Sequence, residues 1–162
     1  MRQSWLWLWM AVIVPVSLPA QEQAKPSAGH GYVFAGFGAV NAEDATFHFG
    51  GGGEGYLFRG LGVGFELGYL APFQYLGEGI GVLSVNGLYD FGRTRSKKVS
   101  PFVTAGYSLA FREGTANALN FGGGIHYWFA RRFGLRVEFR DHFSPDTWNE
   151  HFWQGRLAIE FR

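Results

Sequence analysis

Through residues 31–161, apolar side chains alternate with polar or small ones, segment after segment. The last segment shows this most cleanly. Trp153, Gly155, Leu157, Ile159 and Phe161 share one parity, and Gln154, Arg156, Ala158 and Glu160 share the other. A strand turns successive side chains to opposite faces, so this segment has one apolar and one charged face. The stripe recurs over 61–69, with Leu61, Val63, Phe65, Leu67 and Tyr69 against Gly62, Gly64, Glu66 and Gly68. It returns over 103–112, where Val103, Ala105, Tyr107, Leu109 and Phe111 oppose Thr104, Gly106, Ser108, Ala110 and Arg112. Over 135–142, Leu135, Val137 and Phe139 oppose Arg136, Glu138, Arg140 and His142.

A different pattern precedes the stripes. Arg2 is followed by an apolar run over residues 5–14, about the length of a signal-peptide core and well short of the ~20 residues that span a bilayer as a helix. Pro15 and Pro19 break that run, and Ala20 is the expected last residue removed, although Leu18 stands where a small residue is usual. The expected organisation is a signal peptide over 1–20, a mobile polar lead-in over 21–30 and one β-barrel domain over 31–162. No later segment is apolar enough for a membrane helix, so strands must do any spanning.

Composition narrows the class further. The chain has no cysteine, which excludes disulfide-stapled scaffolds and thiolate metal sites. Aromatics reach 19% and there are 25 glycines, as alternating strands require. Once Arg2 leaves with the leader, basic and acidic residues balance, and nothing points to a nucleic-acid partner.

Turn signals divide the domain into eight strands, expected near 31–40, 46–58, 61–71, 80–91, 100–112, 119–130, 133–143 and 151–161. Eight antiparallel strands of this length fit an all-β, eight-stranded antiparallel up-and-down transmembrane β-barrel, with both termini at one end. Glycine placement decides which face is inside. A barrel of eight strands has little interior room, so long inward side chains need small neighbours. Here the small residues fall mostly on the charged face, which makes that face the lumen and the apolar face the lipid contact. A soluble ligand-carrying β-barrel, the rival reading, predicts the reverse.

Four segments carry a family resemblance: Gly-Tyr-Val-Phe-Ala-Gly-Phe-Gly over 31–38, Pro-Phe-Val-Thr-Ala-Gly-Tyr over 101–107, Phe-Gly-Gly-Gly-Ile-His-Tyr-Trp over 121–128 and Leu-Arg-Val-Glu-Phe-Arg over 135–140. Their order resembles that of the small eight-stranded outer-membrane barrels of Gram-negative bacteria, a group that includes the transmembrane domain of outer-membrane protein A. The resemblance implies export to the bacterial outer membrane, outer-membrane lipids as surroundings, and an assembly machinery that reads an aromatic residue in the C-terminal strand. Phe161 supplies that aromatic, displaced by one residue by Arg162. The peptidoglycan-binding domain of larger relatives is not expected here.

Parity places Glu54, Glu66, Asp90, Glu138 and Glu160 inside the barrel, facing Arg112, Arg136, Arg140 and Arg156. Charges in so narrow an interior persist when paired and hydrogen-bonded, so these nine residues are expected to form a salt-bridge network that closes the lumen. A gated ion path would use the same residues with exchanging partners. His48, His126 and His142 also point inward, but from different heights, so no metal site is expected from them, and His30 and His151 fall near the ends. His142 and Ser144 have a spacing found in lipid A-modifying barrel enzymes, which the family also contains, but the inward parity of His142 opposes that use. The glycines at 50–53 lack a following helix and are packing residues, not a phosphate loop. No enzyme activity and no cofactor are expected.

The connections also sort by charge. Those at the terminus end carry Arg59, Arg93, Arg95, Lys97, Lys98, Arg131 and Arg132, and the opposite loops carry Glu43, Asp44, Glu78, Glu113, Asp146 and Glu150 without Lys or Arg. With the termini in the periplasm, the basic ring would meet anionic headgroups of the inner leaflet. The expected function is that of a small porin-like outer-membrane protein with a closed, salt-bridged lumen, serving envelope integrity or contact with a surface partner through short loops.

Overall fold

A computed structural model describes residues 28–40, 44–92, 98–144 and 151–162. The expected leader over 1–20 and the lead-in as far as residue 27 lie outside them.

Eight strands form: β1 (Gly29–Val40), β2 (Asp44–Phe58), β3 (Leu61–Pro72), β4 (Ile80–Asp90), β5 (Val99–Phe111), β6 (Thr115–Tyr127), β7 (Phe133–Phe143) and β8 (His151–Phe161). Each pairs antiparallel with the next, and β8 returns to β1 in a closed barrel. Gly31 opposite Phe161 and Phe37 opposite Gly155 mark the closing register. Closure satisfies every edge, which lipid demands of any spanning sheet. The β2–β3 hairpin turns on Arg59 and Gly60, both with positive φ, at 41° and 90°. That pair of angles follows the right-handed twist of the flanking strands, and glycine takes the second position without a Cβ penalty.

Several boundaries differ from those the stripes suggest, and the differences at β1 and β6 bear on the site. β1 begins at Gly29, inside the expected lead-in, because Gly29 pairs with Gly55 and the Ala28 carbonyl accepts the Tyr56 N–H at 2.8 Å. β6 occupies Thr115–Tyr127 instead of 119–130, since its hairpin with β5 zips from Phe111 opposite Thr115. The expected loop over 113–118 therefore shrinks to a tight turn, and Trp128 leaves the strand to fold inward, where it is buried.

The apolar stripe faces out. Leu67 is 52% exposed and Val137 54%, as are many other large apolar side chains around the wall. The interior is the reverse: Glu66, Glu138, Glu160, Arg136, Arg140 and Gln154 are all buried. The lumen accommodates them because glycine stands opposite. A Cβ at Gly64 would lie 3.3 Å from the Glu54 Cγ, and one at Gly36 would lie 2.9 Å from the Arg156 Cγ.

Candidate functional site

The charged lumen is the candidate site. Inward positions on β2, β3, β7 and β8 bring three acids and three arginines into one chain of ion pairs. Arg136 bonds the Glu54 carboxylate through Nη1, and its Nε donates to Glu138 Oε2 at 3.0 Å. Glu138 Oε1 also accepts from Arg140, at 2.7 Å from Nε and 2.6 Å from Nη2. Arg140 continues to Glu66 at 3.5 Å, and Arg156 Nη2 donates to Glu66 Oε2 at 2.6 Å. Tyr32 adds its hydroxyl to the same oxygen at 3.0 Å. Aromatic rings back the cations: Arg156 lies 3.8 Å over Phe34, and Arg136 lies 4.2 Å over Phe102. Desolvated guanidinium groups held against both carboxylates and ring faces are far more constrained than surface pairs.

Seven of the nine residues expected from parity stand in this interior chain or beside it: Glu54, Glu66, Arg136, Glu138, Arg140, Arg156 and, one layer toward the termini, Glu160. Asp90 is buried at the end of β4, where it accepts from the Ser100 hydroxyl and from the Gly92 N–H at 2.9 Å. Arg112 is a correction. It lies beyond the end of β5, is exposed, and donates to the Glu78 carbonyl at 2.6 Å. The tight β5–β6 turn carries it out of the lumen, so parity counted along the strand no longer applies there. Arg112 also breaks the sign segregation of the loops, since it sits beside Glu78 and Glu113 at the end expected to lack basic residues. Arg93, Arg95, Lys97, Glu43, Asp146 and Glu150 lie outside the described residues.

The histidines divide between the two ends of the lumen. At the loop end, His48 Nδ1 meets Gln154 Oε1 at 2.9 Å, and His142 meets Gln154 Nε2 at 2.8 Å and Ser108 Oγ at 3.2 Å. The serine at His142 is thus Ser108, not Ser144, and an amide stands where a catalytic base would need an orienting acid. Ser108 is shared further with Ser84 at 2.8 Å and Asn120 at 2.9 Å. Beyond this layer, a cavity of about 260 Å³ is bordered by Leu70, Ile80, Val82 and Phe152 among others. At the terminus end, His30 and His126 converge on Glu160. His30, Tyr32, Ser108 and Gln154 have no place in the stripe-based site. Carrying the β1 alternation back two residues puts His30 on the face of Tyr32 and Phe34, and that signal is present in the sequence.

The sequence model of the outer membrane protein beta-barrel domain matches residues 10–161. The chain belongs to this family. Among solved structures, the N-terminal β-barrel domain of Pseudomonas aeruginosa OprF is similar at 16% identity and a TM-score of 0.63, covering 82% of this chain and 96% of that one. Neisserial surface protein A is similar at 13% identity and a TM-score of 0.67, covering 83% and 97%. The outer membrane enzyme PagL shares the fold at 16% identity and a TM-score of 0.54, covering 81% and 99%. No curated protein matches the chain by sequence. Family and fold together make this a small eight-stranded β-barrel of the bacterial outer membrane.

Proposed function

We propose that this barrel is a non-enzymatic structural protein of the envelope with a sealed lumen. The observation that carries the reading is the continuous chain from Glu54 through Arg136, Glu138 and Arg140 to Glu66 and Arg156, every member of it buried. An aqueous path needs side chains that exchange partners with water, and a desolvated guanidinium fixed on two carboxylates resists that exchange. The pairing of His142 with Gln154 and with the inward Ser108, and with no acid among the described residues, favours a structural over a hydrolytic role for that layer.

The chain is read as exported by a signal peptide removed after Ala20 in a Gram-negative cell. The termini are read as facing the periplasm, the end of the barrel at which the basic connections stand. Arg59, Lys98, Arg131 and Arg132 would meet inner-leaflet lipid there. The β8 strand ending in Phe161 is the segment offered to the assembly machinery.

Reconstituted in a planar bilayer, the wild-type protein is expected to give no steady conductance. Stable ion-selective openings would overturn the sealed-lumen reading in favour of a gated path. Cells of the native host lacking the gene are expected to lose resistance to detergents, and unchanged resistance would remove the integrity role.

A further inference from the structure

Among the described residues, the inward acid Glu160 pairs with histidines and with no arginine. Glu54, Glu66 and Glu138 share Arg136, Arg140 and Arg156, whereas Glu160, fully buried, is approached by two imidazoles. His30 Nε2 lies 3.1 Å and His126 Nδ1 2.7 Å from the same oxygen, Glu160 Oε1. One ligand-capable atom from each of the three residues lies within 4.8 Å of the others. We propose that His30, His126 and Glu160 form a binding site for a first-row divalent cation of the zinc class.

The donor set suits that ion. Two imidazoles and one glutamate are a recurrent three-ligand set for zinc, which leaves the fourth position to water or another donor. Bonds of ~2.0–2.1 Å at tetrahedral angles place donor atoms roughly 3.3 Å apart, so the two separations to Glu160 need to open by about 0.2 and 0.6 Å while the two imidazole nitrogens, within 4.8 Å of each other, come to the same spacing. Glu54 Oε2, 3.4 Å from His30 Nε2, is a nearby second carboxylate, although its other oxygen is held by Arg136.

Proton placement also permits loading. Without a cation, each imidazole can direct an N–H at Glu160 Oε1. His30 Nδ1, His126 Nε2 and Glu160 Oε2 have no hydrogen-bond partner among the described residues. On loading, each ring can carry its proton on the outer nitrogen and present a lone pair inward, so both remain neutral ligands. The walls are aromatic: Trp128 stands edge-on to His30 at 5.4 Å between centroids, and Phe102 lies 4.3 Å from His126. Gly134 keeps the floor open, since a Cβ there would lie 3.2 Å from Glu160 Oε2 and 2.9 Å from the Trp128 ring. The site lies next to the terminus end of the barrel, the end from which a cation has the shortest way in.

The test is a titration of the folded protein in detergent micelles with cobalt(II), whose visible spectrum reports tetrahedral coordination. The wild type is expected to take up one equivalent, with the absorption of a tetrahedral N/O site that zinc displaces. His30→Gln and His126→Gln are each expected to abolish that absorption, while His48→Gln, at the other end of the lumen, keeps it. Heat-modifiable migration on a gel checks that each variant is folded. If one histidine variant does not fold, the other carries the comparison. A wild type with no tetrahedral absorption, or absorption that survives loss of His30 or His126, overturns the site.

Discussion

Arg156 on β8 and Glu66 on β3, 90 positions apart, meet across the lumen at 2.6 Å. Strands β3 and β8 do not pair with each other, so this contact and others like it brace the wall through its centre. Such bracing makes the interior intolerant of single losses.

Glu138→Ala tests that intolerance most directly. Glu138 accepts from both Arg136 and Arg140, and its removal leaves buried positive charge without its partner. A loss of about 3–5 kcal/mol is expected, the scale for breaking a buried pair from one side. Urea unfolding in detergent, followed by heat-modifiable migration, measures it. A loss below 1 kcal/mol would mean that water or neighbouring carboxylates compensate for the missing group.

The outward stripe gives a second expectation. Leu67 and Val137 stand on the lipid face, and Leu67→Arg or Val137→Arg places a cation there, at a cost of roughly 2–4 kcal/mol near the bilayer midplane. Both variants are expected to accumulate in the unfolded, boiling-insensitive gel band. Normal insertion of both would reverse the assignment of faces.

Much of this was legible in the sequence because period-2 alternation states directly which face a residue takes. Glu66, Arg136, Glu138 and Arg140 follow from it with no knowledge of neighbouring strands. What alternation lacks is where a strand stops. Arg112 has inward parity yet lies outside, because the β5–β6 pairing runs on to Phe111 opposite Thr115 and turns at once. His30 has inward parity too, but it precedes the strong stripe, and only its pairing with Glu54 draws it into β1. Contacts across the lumen, such as Ser108 with His142, depend on strand stagger, which no single strand encodes.

Glycine substitutions expose the same limit. On alternation alone, Gly68→Ser puts a small polar group on a polar face and should be mild. The structure argues otherwise, since a Cβ at Gly68 would meet the His48 ring and lie 3.1 Å from the Phe49 carbonyl oxygen. Overpacking of this kind costs about 1–3 kcal/mol. Gly155→Ser, where a Cβ has open space, is expected to fall within about 0.5 kcal/mol of wild type. Comparing the two midpoints in urea separates packing from polarity, and equal midpoints would show that His48 moves aside freely.

Tyr32→Phe isolates the one neutral donor on Glu66 among the described residues. Its hydroxyl reaches Glu66 Oε2 at 3.0 Å, the oxygen that also takes Arg156 Nη2. A hydrogen bond to a charged group is worth about 1.5–3 kcal/mol. Because the arginine remains on the same oxygen and no charge is left alone, the expected loss is at the low end of that range. Arg156→Ala removes the cation, strips the cover from the Phe34 ring and leaves Glu66 with Arg140 at 3.5 Å, so its loss should approach 3–5 kcal/mol. The ranking, more than either value, is the test. If Tyr32→Phe proves the more damaging in urea titrations of matched preparations, the phenol and not the ion pair anchors Glu66.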